Sequence, residues 1–284
     1  MYKRISHLSA ADRSFLLWGP RQTGKSQLLR ETFRHASFVD LLKSDEFAKY
    51  VTRPSALREE LIAKGAPTQR WVVIDEVHWL IENRHIRFAL CGSSARKVRR
   101  GHANLLGGRA VRYELHGLIA EDLAEDFDLT RCLNYGYLPA IYDAAEPRSL
   151  LRSYCANYLR EEIAAEGLTR NLPAFSRFLE IAALADSELV QFATIARDVG
   201  VSAPTVRGYF EILCDTLIGS WLPAFRALVK RRVVESPKFY WVDAGIVNQL
   251  ARRGDLMPGS ITLRESIREL GTPRVAGAPG IPRS

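Results

Sequence analysis

The stretch from Gly19 to Ser26, GPRQTGKS, constrains this chain more than any other feature of its sequence. It matches the pattern G-x-x-x-x-G-K-[ST], a glycine-rich loop whose backbone N–H groups wrap phosphate groups. The apolar residues 14–18 precede it, as expected of a buried strand, and residues 26–33 follow it as a predicted helix. Strand, glycine loop and helix in this order predict the phosphate-binding corner of a parallel α/β sheet.

The residue types of this loop suit a nucleoside triphosphate bound together with Mg²⁺. Glycines allow the backbone to approach the phosphates closely. The ammonium of Lys25 would lie on the β- and γ-phosphates, and the hydroxyl of Ser26 would ligate Mg²⁺. The competing interpretation is a glycine turn followed by a solvated lysine. The predicted nucleotide-binding residues are Gly19, Pro20, Arg21, Gln22, Thr23, Gly24, Lys25 and Ser26.

A second element of the same chemistry is the apolar run at residues 71–74, which ends in Asp75 and Glu76. An apolar strand that ends in Asp-Glu is the Walker B arrangement. Asp75 would lie near the metal, and Glu76 would act as the general base on the attacking water. The alternative is a strand end with solvated acids. Together with Lys25, these residues predict hydrolysis of a phosphoanhydride bond.

Residues 87–91 form another predicted strand, and polar residues follow it directly. Ser93 or Ser94 would sense the γ-phosphate or orient water, and a simple helix N-cap is an equally good interpretation. Hydrolysis also benefits from an arginine that neutralises charge in the transition state. Three arginines are candidates for that role: Arg96, Arg109 and Arg112. Arg109 is our choice, although each of the three also suits a surface position.

The alternation of strands and helices stops near residue 130, which divides the chain into two predicted domains. Residues 1–128 predict an α/β P-loop NTPase domain, a parallel sheet with flanking helices. Residues 129–253 predict a mostly helical winged-helix domain. Residues 254–284 carry a Gly-, Pro- and Arg-rich stretch without periodicity, for which we expect a disordered tail.

Two short helices joined by a tight turn are predicted within the second domain. Residues 192–199 form the first, Gly200 makes the turn, and Ser202 caps a second helix over residues 203–213. This spacing is typical of a helix-turn-helix unit.

A predicted hairpin of residues 220–225 and 238–242 completes a winged-helix organisation. If DNA binds through residues 192–240, Thr205 and Arg207 would lie at the major groove and the basic residues of the wing on phosphates. Packing or protein contact explains the same fold equally well, because the second helix carries a single strong base-reading side chain.

Charge and composition limit the classes of binding partner but identify no specific one. The formal net charge of +8 permits nucleic-acid contact. No apolar run approaches the ~20 residues of a membrane helix, and the N-terminus lacks the apolar region of a secretory signal, so we expect no membrane partner. A homo-oligomer or an unidentified protein partner stays open. Scattered cysteines predict reduced thiols, no zinc site and a cytoplasmic location: Cys91, Cys132, Cys155 and Cys214.

Several motifs stand in one order along residues 1 to about 250. They are GPRQTGKS, VVIDEV, LCGSSARK, the Tyr135-to-Pro139 segment, YLREE at 158–162, PKFY at 237–240 and DAG at 243–245. Together they resemble a large group of prokaryotic AAA-type ATP-binding proteins, which join a P-loop domain to a C-terminal domain of unknown function. In that group Gly19–Ser26 corresponds to the P-loop, and Asp75 and Glu76 to the Walker B pair.

The resemblance implies ATP as the nucleotide and a winged-helix segment. In longer members it implies a nuclease-like α/β fold that begins near Lys238. This chain departs from the pattern in two places. Val77 runs directly into residues 78–81, where relatives have a loop before the helix, and the last stretch differs from theirs, so no nuclease activity is assigned.

The sequence therefore predicts an ATP-binding protein, a Mg-dependent ATPase of the AAA type that couples nucleotide state to its C-terminal domain. The alternative is an ATP-responsive DNA-binding regulator or adaptor with little turnover.

Overall fold

Five parallel strands form a sheet in the N-terminal half, in the spatial order β2-β3-β4-β1-β5. The structure is a computed structural model and describes residues 2, 4, 8, 13–53, 55–63, 71–75, 87–93, 110–158, 171–223 and 236–256. The strands are β1 (Phe15–Trp18), β2 (Ser37–Asp40), β3 (Trp71–Asp75), β4 (Arg87–Gly92) and β5 (Val111–Glu114). Near-continuous apolar sequence in β1, β3 and β4 is what strands covered on both faces require.

Helices cover both faces of this sheet. They are α1 (Lys25–Thr32), α2 (Ser44–Thr52) and α3 (Ser55–Ala63). Successive side chains of a strand point to opposite faces. Phe15 and Leu17 accordingly share one core with α1, whereas Val72 and Ile74 share the other with α3. The predicted fold class, a parallel sheet with flanking helices, is confirmed for this half.

The second half is mostly helical, as predicted. Its helices are α4 (Ala120–Leu123), followed by a 3₁₀ turn (Ala124–Asp126), α5 (Leu129–Tyr135), α6 (Pro139–Tyr142), α7 (Pro147–Ser153), α8 (Leu172–Leu184), α9 (Phe192–Val199), α10 (Ala203–Asp215) and α11 (Ala244–Leu250). A π-helical turn (Tyr154–Tyr158) continues α7. The chain after this turn, residues 159–170, lies outside the described residues.

The helix-turn-helix and its hairpin take the predicted form. Gly200 adopts the left-handed conformation, with φ of 79°, at the end of α9. The hydroxyl of Ser202 accepts a hydrogen bond from the Thr205 amide and so caps α10. Strands β6 (Gly219–Leu222) and β7 (Lys238–Trp241) pair antiparallel. The basic segment between them lies outside the described residues.

A cluster of aromatic rings forms the centre of the helical core. Phe178 is completely buried, and its ring centroid lies 4.8 to 5.6 Å from those of Phe175, Tyr209 and Phe210. Phe210 in turn contacts Phe239 of β7, at 4.7 Å. Aromatic burial on this scale dominates the energetics of a small core. The core therefore ties α8 and α10 to the hairpin.

Two of the sequence motifs, the DAG segment and the Tyr135-to-Pro139 segment, pack directly against one another here. The buried carboxylate of Asp243 accepts a hydrogen bond from the Tyr137 amide at 2.8 Å and caps α11 through the Ile246 amide at 3.1 Å. A Cβ on Gly136 would lie 2.0 Å from Oδ1 of Asp243, and one on Gly245 would lie 2.3 Å from the Tyr135 carbonyl. The DAG segment and the Tyr135-to-Pro139 segment thus form one packed unit that permits only glycine at both contacts.

The folded chain extends three residues, 254–256, into the region expected to be a tail. Leu256 is buried, and its backbone amide and carbonyl both pair with the side chain of Asn134. The expected disorder of residues 257–284 concerns a segment outside the described residues.

Candidate functional site

Three of the predicted site segments meet at one edge of the sheet because β4 lies between β1 and β3. Trp18 pairs with Gly92 across β1 and β4, and Asp75 pairs with Cys91 across β3 and β4. The glycine loop leaves β1 at this edge, and Ser93 follows β4 there. The carboxyl ends of parallel strands are where open α/β sheets bind ligands.

Hydrogen bonds within the glycine loop shape it into a closed turn. The Thr23 hydroxyl donates to the Pro20 carbonyl at 2.9 Å. The Lys25 ammonium donates to the carbonyls of Gly19 and Pro20, both at 2.8 Å. Gly24 adopts φ of 84° and ends the loop as the N-cap of α1. The two Lys25 contacts hold the start of the loop beside the first turn of the helix.

Two loop positions require unusual backbone geometry. Gln22 has φ of 63°, a left-handed conformation that a residue with a side chain adopts only at some cost in free energy. A Cβ on Gly19 would lie 2.0 Å from the carbonyl oxygen of Leu115, the residue that follows β5, so the backbone there leaves no room for a side chain. The first glycine of the motif is therefore required by packing as well as by phosphate approach.

The electrostatics of the loop favour an anion. Lys25 is only 7% exposed, and burying an ammonium is costly unless negative charge or strong acceptors compensate. The loop also precedes the N-terminus of α1, where the helix dipole adds partial positive charge. Because Gly24 has no side chain, the N-cap residue supplies no side-chain acceptor to the first-turn amides. This arrangement fits the phosphates of a nucleotide.

The predicted metal ligands lie on either side of the same edge. Ser26 is the second residue of α1, and Asp75 is the last residue of β3. Hydroxyl and carboxylate oxygens are the ligands that Mg²⁺ prefers, so the residue types fit a magnesium ion beside phosphates. Ser93 is almost completely buried at the end of β4, which suits the predicted polar sensor position.

Of the other candidate catalytic residues, one lies on β5 and the rest lie outside the described residues. Arg112 lies on β5 with its guanidinium 2.6 Å from the Glu114 carboxylate and 4.2 Å from the ring centroid of Trp18. Its charge is thus engaged by a neighbouring carboxylate and an aromatic face. The remaining predictions of this group lie outside the described residues: Glu76, Ser94, Arg96 and Arg109.

Two tyrosines of the π-helical turn contact the glycine loop, which the sequence analysis did not foresee. The Arg21 amide donates to the Tyr158 hydroxyl at 3.3 Å, and the Tyr154 hydroxyl donates to the Arg21 carbonyl at 3.4 Å. Both rings are buried, as apolar core side chains would be. The missed signal is chemical, because a buried phenol needs a hydrogen-bonding partner that an apolar stripe does not supply.

The residues predicted to read DNA contact other side chains of this protein. The Arg207 guanidinium lies 4.6 Å from the ring centroid of Phe192, and the hydroxyls of Thr205 and Ser202 are 2.8 Å apart. Glu211 is exposed on the same helix. The helix-turn-helix geometry is present, but its exposed face carries both signs of charge.

The four cysteines are free thiols, as predicted. Burial raises the pKa of Cys132 and Cys214 to about 11 and that of Cys155 to about 12, which keeps these thiols protonated and unreactive. Within the described residues no cluster of His, Cys, Asp and Glu side chains forms a metal site. Across the same ranges, no helix has both the length and the apolar character needed to cross a bilayer.

Comparison with protein families divides the chain in two. Residues 11–124 match the family described as AAA domain, and residues 126–256 match a domain of unknown function (DUF8612). Two curated relatives, uncharacterised proteins of Mycobacterium bovis and Mycobacterium tuberculosis, are each 26% identical over 250 residues. These matches cover 83% of this chain and 55% of the relatives, so the chain spans about half the length of the curated relatives it matches.

Among solved structures, a Walker-type ATPase of Pyrococcus abyssi superposes with a TM-score of 0.53 at 13% sequence identity. The superposition covers 83% of this chain and 90% of that protein. At this sequence identity the likeness shows a common fold and gives no information about the substrate.

Proposed function

For a chain that joins an AAA-type P-loop ATPase domain to a C-terminal domain of unknown function, we propose binding and hydrolysis of Mg-ATP at the loop of residues 19–26. The proposal includes a coupling of nucleotide state to the helical half. It also includes a cytoplasmic location, which the free buried thiols support.

The environment of Lys25 carries this proposal. Its ammonium is buried, held at 2.8 Å by two neutral carbonyls of the loop, and placed at the positive end of α1. A triphosphate entering the loop would exchange these carbonyls for phosphate oxygens, and charge-assisted hydrogen bonds of that kind are about twice as strong as neutral ones. The gain in binding energy would come from charge-assisted hydrogen bonds to a cation that the fold already keeps away from water.

Hydrolysis would assign one role to each remaining residue. Mg²⁺ bound by Ser26 and Asp75 would neutralise charge that develops on the phosphates, and Glu76 would orient and deprotonate the attacking water. Arg109 is the proposed transition-state arginine. Such an arginine acts in cis or in trans, so the proposal extends to a homo-oligomer or a separate protein partner.

Calorimetric titration with Mg-ATP and Mg-GTP tests the binding step, and phosphate release measured on the same sample tests turnover. Lys25→Ala should abolish measurable binding of Mg-ATP, whereas Lys43→Ala, which removes an exposed lysine of the same domain, should leave it unchanged. Glu76→Gln should retain binding and lose turnover. Equal affinity in wild type and Lys25→Ala would refute the site.

DNA binding by the helical half is the second candidate function. The observed helix-turn-helix and antiparallel hairpin favour it, since this organisation places a helix in the major groove. Against it stands the Arg207 guanidinium, which lies over Phe192. Turnover with and without duplex DNA separates the two candidates. Steady hydrolysis that DNA does not alter favours the enzyme alone, and DNA retention that Mg-ATP changes and Arg207→Ala weakens favours the regulator.

A further inference from the structure

We propose that Tyr154 and Tyr158 are positioning residues for nucleotide binding, which hold the backbone of Arg21 in the glycine loop. Through them, nucleotide bound at the loop would affect the structure of the helical core. This inference rests on the proposed function, because it concerns the same site and the same ligand. It adds a residue pair from the second domain to a site otherwise built from the first.

The two tyrosines contact the amide, the carbonyl and the guanidinium of one loop residue. The Arg21 amide donates to the Tyr158 hydroxyl, and the Arg21 carbonyl accepts from the Tyr154 hydroxyl. The Arg21 guanidinium also lies 5.4 Å from the ring centroid of Tyr158, within the range of a cation–π contact. A side-chain clamp on both the N–H and the C=O of a single residue fixes the orientation of its two peptide planes.

The clamped residue stands just before the part of the loop that must wrap phosphate. Gln22 and Gly24 follow with φ of 63° and 84°, and the first turn of α1 begins at Lys25. A loop with two left-handed residues has many alternative conformations. If the ligand must select one of them, the free energy of that selection is subtracted from the binding energy. Holding Arg21 in place reduces that cost, which is the ordinary benefit of preorganisation.

The other ends of the tyrosines belong to the helical core. Tyr154 is 2% and Tyr158 5% exposed, their ring centroids are 4.7 Å apart, and both pack in the core cluster that contains Phe178. They lie on a π-helical turn, a local widening that is frequent at functional sites. A movement of the Arg21 peptide must therefore either break two hydrogen bonds or displace rings of a close-packed core.

Hydroxyl deletions test the clamp without changing the packing of the rings. In Tyr154→Phe and Tyr158→Phe we expect Mg-ATP to bind roughly fivefold more weakly, the effect of one lost neutral hydrogen bond. Tyr142→Phe is the matched control, because this buried tyrosine also bonds backbone groups, those of Asp126 and Asp128, away from the loop. Its affinity for Mg-ATP should equal that of the wild type.

Hydrogen exchange, measured on the wild-type protein and on one double variant, gives a second test. Binding of Mg-ATP should change the protection of amides in residues 151–158 and in α8, and the double variant Tyr154→Phe/Tyr158→Phe should lose the change in α8. Absence of any Mg-ATP binding by the wild type would refute the proposed function itself. Binding by the wild type with equal or tighter binding by both tyrosine variants, or with no change of protection in residues 151–158, would overturn the clamp alone.

Discussion

Replacing Asp243 by Asn should change how the stability of the helical half depends on pH. Asp243 is 3% exposed and lies where α11 meets the Tyr135-to-Pro139 segment. Burial raises the pKa of this carboxyl from 3.8 to about 6, although amides such as that of Tyr137 donate to it and act in the opposite direction. The free-energy cost of removing the charged carboxylate from water therefore exceeds the stabilisation that its hydrogen bonds provide.

The sign of the effect follows from proton binding. A carboxyl whose pKa is higher in the folded state binds its proton more tightly there, so the stabilisation is complete below pH 3.8 and is lost as the pH rises through 6. At 1.36 kcal/mol per pH unit, the full loss is about 3 kcal/mol. Between pH 4.5 and 7 it amounts to about 2 kcal/mol, and above pH 7 this group contributes no further change.

Urea unfolding followed by tryptophan fluorescence at pH 4.5, 5.5, 6.5 and 7.5 measures this dependence. The free energy of unfolding of the wild type should fall relative to that of Asp243→Asn by about 2 kcal/mol across the series, with equal m-values showing that the same unit unfolds. Asp128→Asn, at the exposed N-cap of α5, reports what a solvated capping carboxylate does. Parallel curves for the wild type and Asp243→Asn, or a difference that grows in the opposite direction, would refute the reasoning.

Two further substitutions test the glycine positions by urea unfolding. Gly208→Ala should stabilise the protein by about 0.5–1 kcal/mol, because the position lies within α10 and nothing lies within 4 Å of an added Cβ; a loss of stability would contradict this. Gly19→Ala should destabilise by about 1–3 kcal/mol, because its methyl would lie 2.0 Å from the Leu115 carbonyl oxygen and the backbone must shift. Unchanged stability of Gly19→Ala would show that the backbone at Leu115 shifts without cost in free energy.

Local signals predicted the elements that position the site. An apolar run, two glycines at fixed spacing and a good helix former are each readable within a few residues, so β1, the loop and α1 follow from the sequence. The same holds for Gly200 and Ser202, which mark the turn and the cap of the helix-turn-helix. The order of motifs predicted an AAA-type chain with a C-terminal domain of unknown function, and the family matches confirm it.

Contacts between distant parts of the chain were beyond such signals. The sequence analysis assigned no element to residues 129–134 or 244–250, yet α5 and α11 pack together through Asn248, which donates to the Leu133 carbonyl at 2.6 Å. The exposed Arg207 lies over the ring of Phe192, a contact that no local signal records. Each of these outcomes depends on a partner more than ten residues away.

What the sequence by itself determined is the kind of ligand: a glycine loop with a lysine at the start of a helix is a device for polyanions wherever it folds. What only the tertiary structure decided is which other parts of the chain lie next to that loop. The register of β4 between β1 and β3 brings Ser93 and the end of β3 to the loop, and the docking of the helical half brings Tyr154 and Tyr158 to Arg21. Spacing along a chain encodes local geometry, but neighbours across the fold arise from the packing of whole elements, which no short motif records.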